Sequence, residues 1–82
     1  MPSAQAASCS SGLIKKAHIA APDQHRAFGS CSSYDRSGQQ ARLTADCIGA
    51  ADRNTSWFSD NTLHYTGWCA FNARNSFVSV RN

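Results

Sequence analysis

Ala41-Arg42-Leu43-Thr44-Ala45-Asp46-Cys47 alternates small or apolar side chains with polar ones, which places Ala41, Leu43, Ala45 and Cys47 on one face and Arg42, Thr44 and Asp46 on the other. That period of two marks a strand buried on one side. Upstream, Ala27-Phe28-Gly29-Ser30-Cys31-Ser32-Ser33 is a weaker run of the same kind. The polar stretch Asp35-Arg36-Ser37-Gly38 joins the two, so the pair reads as a hairpin. Residues 13–20 read as a strand or a short helix, ended in either case by Pro22. Downstream, residues 49–56 lack periodicity and are rich in polar turn formers, a surface loop and a candidate binding loop. Trp57-Phe58 and residues 62–71 read as two strands around Ser59-Asp60-Asn61, with Leu63, Tyr65, Gly67, Cys69 and Phe71 pointing one way. After a polar turn at residues 72–75, residues 77–81 form the last strand. No convincing helix competes, and no internal repeat is visible beyond the cysteine spacing. The fold class is therefore all-β: a small disulfide-stapled antiparallel β-sandwich or barrel of five to six short strands.

Cys9, Cys31, Cys47 and Cys69 lie 22, 16 and 22 residues apart in a chain of 82. A chain this short buries too little surface to rely on its core alone, and covalent staples are the usual supplement. No C-x-x-C pair is present, so the thiols lack the close spacing of redox or metal sites, and two disulfides in an oxidising compartment are expected. Four cysteines permit three pairings. Sequential pairing, Cys9 with Cys31 and Cys47 with Cys69, closes two loops of equal length and is slightly favoured. Nested pairing, Cys31 with Cys47 inside Cys9 with Cys69, would staple the hairpin.

The N-terminal Ala4-Gln5-Ala6 matches the A-x-A pattern cut by signal peptidase, so residues 1–6 read as the remnant of a bacterial export signal or a tail, and residues 7–82 as one β domain. Secretion is the expected localisation. The sequence holds no apolar run long enough for a membrane span. Eight Lys and Arg against five Asp and Glu give a net charge of +3. Apart from Lys15-Lys16 the basic residues are scattered, which argues against a specific nucleic-acid partner.

Chemistry would have to come from His18, His25 or His64, and none lies in a recognisable frame. There is no H-E-x-x-H, no calcium loop and no G-x-S-x-G, so no catalytic residue, metal or cofactor is assigned and the chain is read as non-enzymatic. A small ribonuclease, with two facing histidines and Lys15, Arg26 or Arg42 nearby, is the residual enzyme reading. Asn54-Thr55-Ser56 fits a glycosylation sequon, relevant only in a eukaryotic host. The aromatics carry more. Adjacent strand residues face opposite ways, so at most one of Trp57 and Phe58 enters a single core and the other should be exposed. Trp68, opposite in parity to Tyr65 and Cys69, joins it in an outward aromatic surface edged by Arg53, Asn54 and His64. Flat apolar area with polar groups at its rim suits a protein hot spot or a sugar ring. The alternative places both tryptophans as caps on a two-sheet core.

A secreted all-β chain of this length with two sequential disulfides is similar to the tendamistat-type amylase inhibitors, small sandwiches that plug a hydrolase cleft. The likeness is one of size and layout, and that family's exposed Trp-Arg-Tyr triplet has no counterpart here. Phe28-Gly29-Ser30-Cys31 and Leu43-Thr44-Ala45-Asp46-Cys47 also resemble the F-x-x-C and L-x-A-x-C stretches of cyanovirin-type mannose lectins, over about a quarter of the chain. The expected function is that of a secreted binding protein that engages another protein as an inhibitor or as an adaptor or component of a toxin complex. Arg53, Asn54, Trp57, Phe58, His64 and Trp68, with the 49–56 loop, are the expected contacts. A lectin-like module is the alternative, followed by a basic antimicrobial or ribonuclease-like toxin.

Overall fold

The alternation at residues 41–47 buries the side chains it should: Ala41, Leu43, Ala45 and Cys47 are all inside. The computed structural model describes residues 8–16, 23–34 and 38–81, so residues 1–6, read from the sequence as an export remnant or tail, His18 and most of the polar 35–38 stretch lie outside the described residues. Among the described residues the chain is all-β. β1 (Ser8–Lys16), β2 (Gln24–Ser32) and β5 (His64–Tyr65) form one antiparallel sheet in the order β1-β2-β5. β3 (Gln40–Cys47), β4 (Arg53–Asn54) and β6 (Ala73–Arg81) form the other, in the order β4-β3-β6.

The two sheets stack through the inner faces of their central strands. Ala27 and Cys31 of β2 meet Ala41, Leu43, Ala45 and Cys47 of β3, with Phe58 and Cys69 completing the core and Leu13, Val78 and Val80 packed against it. Most of these side chains are small, so the sheets come close. At Gly29 an added Cβ would lie 2.8 Å from the Ser10 carbonyl oxygen and 3.0 Å from Leu43 Cδ1, and only glycine leaves Leu43 its space. At the end of β3, Gly49 adopts a positive φ of 72° that turns the chain away from the sheet.

Pairing differs from the hairpin expected between residues 27–33 and 41–47. β2 pairs instead with β1, Cys9 opposite Cys31, and β3 pairs with β6, Leu43 opposite Val78. Each strand has one apolar face, and stacking β2 on β3 buries both faces at once, which side-by-side hydrogen bonding would not achieve. The residues 72–75 read as a turn largely join β6, which begins at Ala73 and absorbs a register shift opposite Asp46 and Cys47. Part of the 49–56 loop is β4. Residues 62–71 do not form one regular strand: Cys69 is fully buried while Leu63, Tyr65 and Phe71 are exposed, so their side chains do not share a face.

The disulfides are Cys9–Cys31 and Cys47–Cys69, the sequential pairing. The first joins facing residues within one sheet. The second ties the end of β3 to residues 64–69, which run along β2, and so crosses between the sheets. Each closes a loop of 22 residues, and restriction of the unfolded chain alone contributes about 3 kcal/mol per bridge.

Candidate functional site

The segments flanking each central strand on the side opposite β1 and β6 are built alike. Beside β3, the Thr55 N–H donates to Leu43 O (2.9 Å) and the Phe58 N–H to Ala41 O (2.8 Å). Beside β2, the Thr66 N–H donates to Ala27 O (3.0 Å) and the Cys69 N–H to His25 O (2.7 Å). In both cases three steps along the outer segment match two along the strand, which is the signature of a one-residue bulge. The bulge turns Phe58 and Cys69 inward and leaves the preceding residue, Trp57 or Trp68, half-buried on the outer face of its sheet against Arg42 or Arg26. The two threonines hold the bulges in the same way. Thr55 Oγ1 accepts from Leu43 N–H and donates to Ser56 O, and Thr66 Oγ1 accepts from Ala27 N–H and donates to Gly67 O.

Each tryptophan then lies against two cations. The Arg26 guanidinium is 5.1 Å from the Trp68 ring centre and 4.8 Å from that of Tyr65, and Lys16 Nζ is 5.6 Å from Trp68. On the other sheet, Arg42 and Arg81 lie 4.8 and 4.0 Å from the Trp57 ring centre. The correspondence is positional. Gln24-x-Arg26-x4-Cys31 in β2 matches Gln40-x-Arg42-x4-Cys47 in β3, Lys16 stands opposite Gln24 as Arg81 stands opposite Gln40, and Thr66-x-Trp68 matches Thr55-x-Trp57. Ser11, opposite Gly29, and Ser76, opposite Ala45, occupy equivalent places, and their hydroxyls meet at 3.0 Å. Equivalent atoms in mutual contact are what an approximate two-fold axis between the sheets produces. The chain therefore contains an internal structural repeat that the cysteine spacing did not reveal.

The anchoring of the cations differs between the faces. Arg26 Nε donates to Thr66 O at 2.9 Å, which fixes its guanidinium beside the two rings. Arg42 Nε is buried with no partner. There the other cation is the one held: Arg81 donates through Nε and Nη2 to Gln40 Oε1 at 3.1 and 2.9 Å. Lys15 pairs with Asp23 and Arg74 with Asp46. Among the described residues no carboxylate lies within ion-pair distance of Lys16, Arg26, Arg42, Arg53 or Arg81.

The six contacts expected from the sequence are distributed over the molecule and do not form one surface. Trp57 is outward on the β3 sheet and Trp68 outward on the β2 sheet. Phe58 is 7% exposed and belongs to the core, so of the adjacent pair Trp57 is the outer member. Asn54 Oδ1 accepts from Thr44 Oγ1 at 2.6 Å on the Trp57 side, whereas Arg53 Nε donates to Trp68 O at 3.1 Å. His64 stacks on Phe58, ring centres 3.8 Å apart, and its Nε2 lies 2.7 Å from Asp60 Oδ1 and 3.3 Å from Thr62 Oγ1. Both polar contacts use the same ring nitrogen, so this cluster lacks the opposite-nitrogen relay of a catalytic triad and instead closes the 58–64 loop. Hydrogen bonds from His64 and Thr62 hold the Asp60 carboxyl below the usual carboxylate range. Burial, and after it the Asp60 charge, push the Tyr34 phenol up. His25 Nδ1 accepts from Ala73 N–H at 3.1 Å, joining β2 to the start of β6.

Lys16, Arg26, Arg42, Tyr65 and Arg81 were not among the expected contacts. The signal that would have found Arg26 and Arg42 is the pair of Q-x-R-x4-C stretches together with the two T-x-W triplets, whereas Lys16, Tyr65 and Arg81 lie outside those motifs. Among the described residues no group of three or more His, Cys, Asp or Glu is placed to hold a metal ion, and no helix is long and apolar enough to cross a membrane. The chain matches no protein-family model, no curated protein and no solved structure.

Proposed function

We propose that this chain is a secreted, non-enzymatic binding protein that grips an anionic patch on another protein, as an inhibitor or an adaptor, through its cation–tryptophan faces. One observation carries the reading. Arg26 is fixed between Tyr65 and Trp68 with its Nε already bonded to Thr66 O, so the remaining guanidinium donors form a preset fork with no carboxylate of the described residues to fill it. A planar fork held against aromatic rings suits an incoming carboxylate and loses little freedom when one arrives. Two disulfides in so small a domain are consistent with an extracellular setting.

Selection of random peptides on the oxidised protein tests this. Bound peptides should be enriched in Asp and Glu, their affinity should fall steeply with salt, and Trp68→Ala should weaken those held on the Trp68 face about 30-fold, the loss of one anchor. Enrichment of neutral or basic peptides would refute the reading. A response on a glycan array with no acidic peptide recovered would move it to the lectin class.

A further inference from the structure

The approximate two-fold has a functional corollary. The Trp68 face, with Lys16 and Arg26, and the Trp57 face, with Arg81 and Arg42, are equivalent in sequence position, strand register and bulge geometry. They lie on the outer surfaces of two stacked sheets and so point away from each other. Resting on the reading above, we infer that the protein is bivalent: each face takes one acidic protein segment, and a single chain joins two partner molecules.

Both faces carry the chemistry such a segment needs. Trp, Arg and Lys or Arg recur at matching places, and Lys16, Arg26, Arg42 and Arg81 have no carboxylate of the described residues within ion-pair distance, the Asp46 carboxylate on the second face being paired with Arg74. Each face also carries a phenylalanine at the equivalent strand pair. It is Phe28 opposite Gly12 on the first sheet and Phe77 opposite Thr44 on the second, where Phe77 is 42% exposed. Apolar rings beside unneutralised cations match a peptide in which Leu, Val or Phe accompanies Glu or Asp. A sulfated or uronic glycan has no such apolar side chains to bury, and the ring surface it would stack on is already faced by guanidinium and ammonium groups.

The two tryptophans provide a reporter for each face. Trp57→Phe leaves Trp68 as the sole indole and Trp68→Phe leaves Trp57, while the substituted ring still supports its cations. Titrated with a synthetic peptide alternating Glu and Leu, both variants should show a saturable change in emission, with dissociation constants within about tenfold of each other. Calorimetry on the wild type should give two peptides per chain. Arg26→Gln should weaken the Trp68 response by about tenfold or more and leave the Trp57 response unchanged, and Arg42→Gln with Arg81→Gln should do the reverse. If an Arg variant fails to fold, suppression of both emission changes by high salt is the substitute criterion. One peptide per chain with a single responsive indole would overturn bivalency and leave the binding reading intact. Silence from both indoles would overturn the binding reading itself. Tighter binding of a sulfated oligosaccharide than of the peptide would overturn the assignment to a protein partner.

Discussion

The β1-β2-β5 and β4-β3-β6 sheets share a plan and differ in how they are secured. In the first, the disulfide Cys9–Cys31 lies within the sheet, Thr66 is buried and Arg26 is bonded to the Thr66 carbonyl. In the second, Phe58 replaces Cys69 at the inward bulge position and stacks on His64. Thr55 is half-buried, and Arg42 Nε has no partner. The inner faces differ in a compensating way: Ala27 and Gly29 of β2 correspond to Leu43 and Ala45 of β3, so the larger residue on one side fits above the smallest on the other. An approximate two-fold does not require identical halves. It requires that each departure on one sheet be matched where the sheets meet, while the outer faces keep their common set of Trp and cations.

The largest effect should come from the disulfides. Their loops are equal in length, so any difference between removing Cys9–Cys31 and removing Cys47–Cys69 isolates native packing from chain entropy. Replacing either pair by Ala should cost about 3 kcal/mol. The second pair should cost a further 1–2 kcal/mol or so, because both of its sulfurs are buried between the sheets whereas Cys9 is exposed. Denaturant midpoints measure both, and equal losses would show that the cross-sheet bridge adds no packing.

Next in size is the contact of Gly29 with Leu43. Gly29→Ala should destabilise by about 2 kcal/mol through overpacking. Leu43→Ala should cost about 3 kcal/mol alone and clearly less in the Gly29→Ala background, since the new methyl fills part of the space vacated. Strict additivity in that cycle would contradict the fit described. The threonines should separate the two bulges more finely. Thr66→Val, which orphans the buried Ala27 N–H, should cost about 2 kcal/mol, and Thr55→Val, at the half-buried equivalent, about 1 kcal/mol.

The smallest effect is confined to acid. Asp60 is more acidic folded than unfolded, so its contribution is complete above about pH 4 and fades as pH falls through the folded value, the unfolded chain taking up the proton first. Asp60→Asn should flatten that part of the stability–pH curve and leave neutral pH nearly unchanged. An unaltered acid limb would show that the loop contacts do not favour the charged form.

Strand β3 was legible because its alternation spans the whole element, and the rule that adjacent residues face oppositely limited a single core to at most one of Trp57 and Phe58, which is Phe58. Spacing left the pairing open and only slightly favoured the sequential disulfides, which are the ones present. The β2–β3 hairpin did not hold, since a polar connection serves a crossing between stacked sheets as well as a turn within one, and only tertiary burial decides between them. Parity failed at residues 62–71 because the bulge at 66–69 inserts a residue and reverses the alternation beyond it. The two sites were hidden for a further reason. Their motifs recur in opposite orders, Gln24 to Cys31 before Gln40 to Cys47 but Thr55 to Trp57, on the second sheet, before Thr66 to Trp68 on the first, so no constant period exposes them.

The interleaving has a genetic consequence. Going along the chain, Lys16 and Arg26 belong to one face, Arg42 and Trp57 to the other, then Trp68 returns to the first and Arg81 to the second. A truncation placed between Trp57 and Trp68 deprives one face of its indole and the other of its terminal guanidinium. A deletion from the C-terminal end cannot distil this molecule into a one-handed version, and such a version must instead be made by point substitution on a single face.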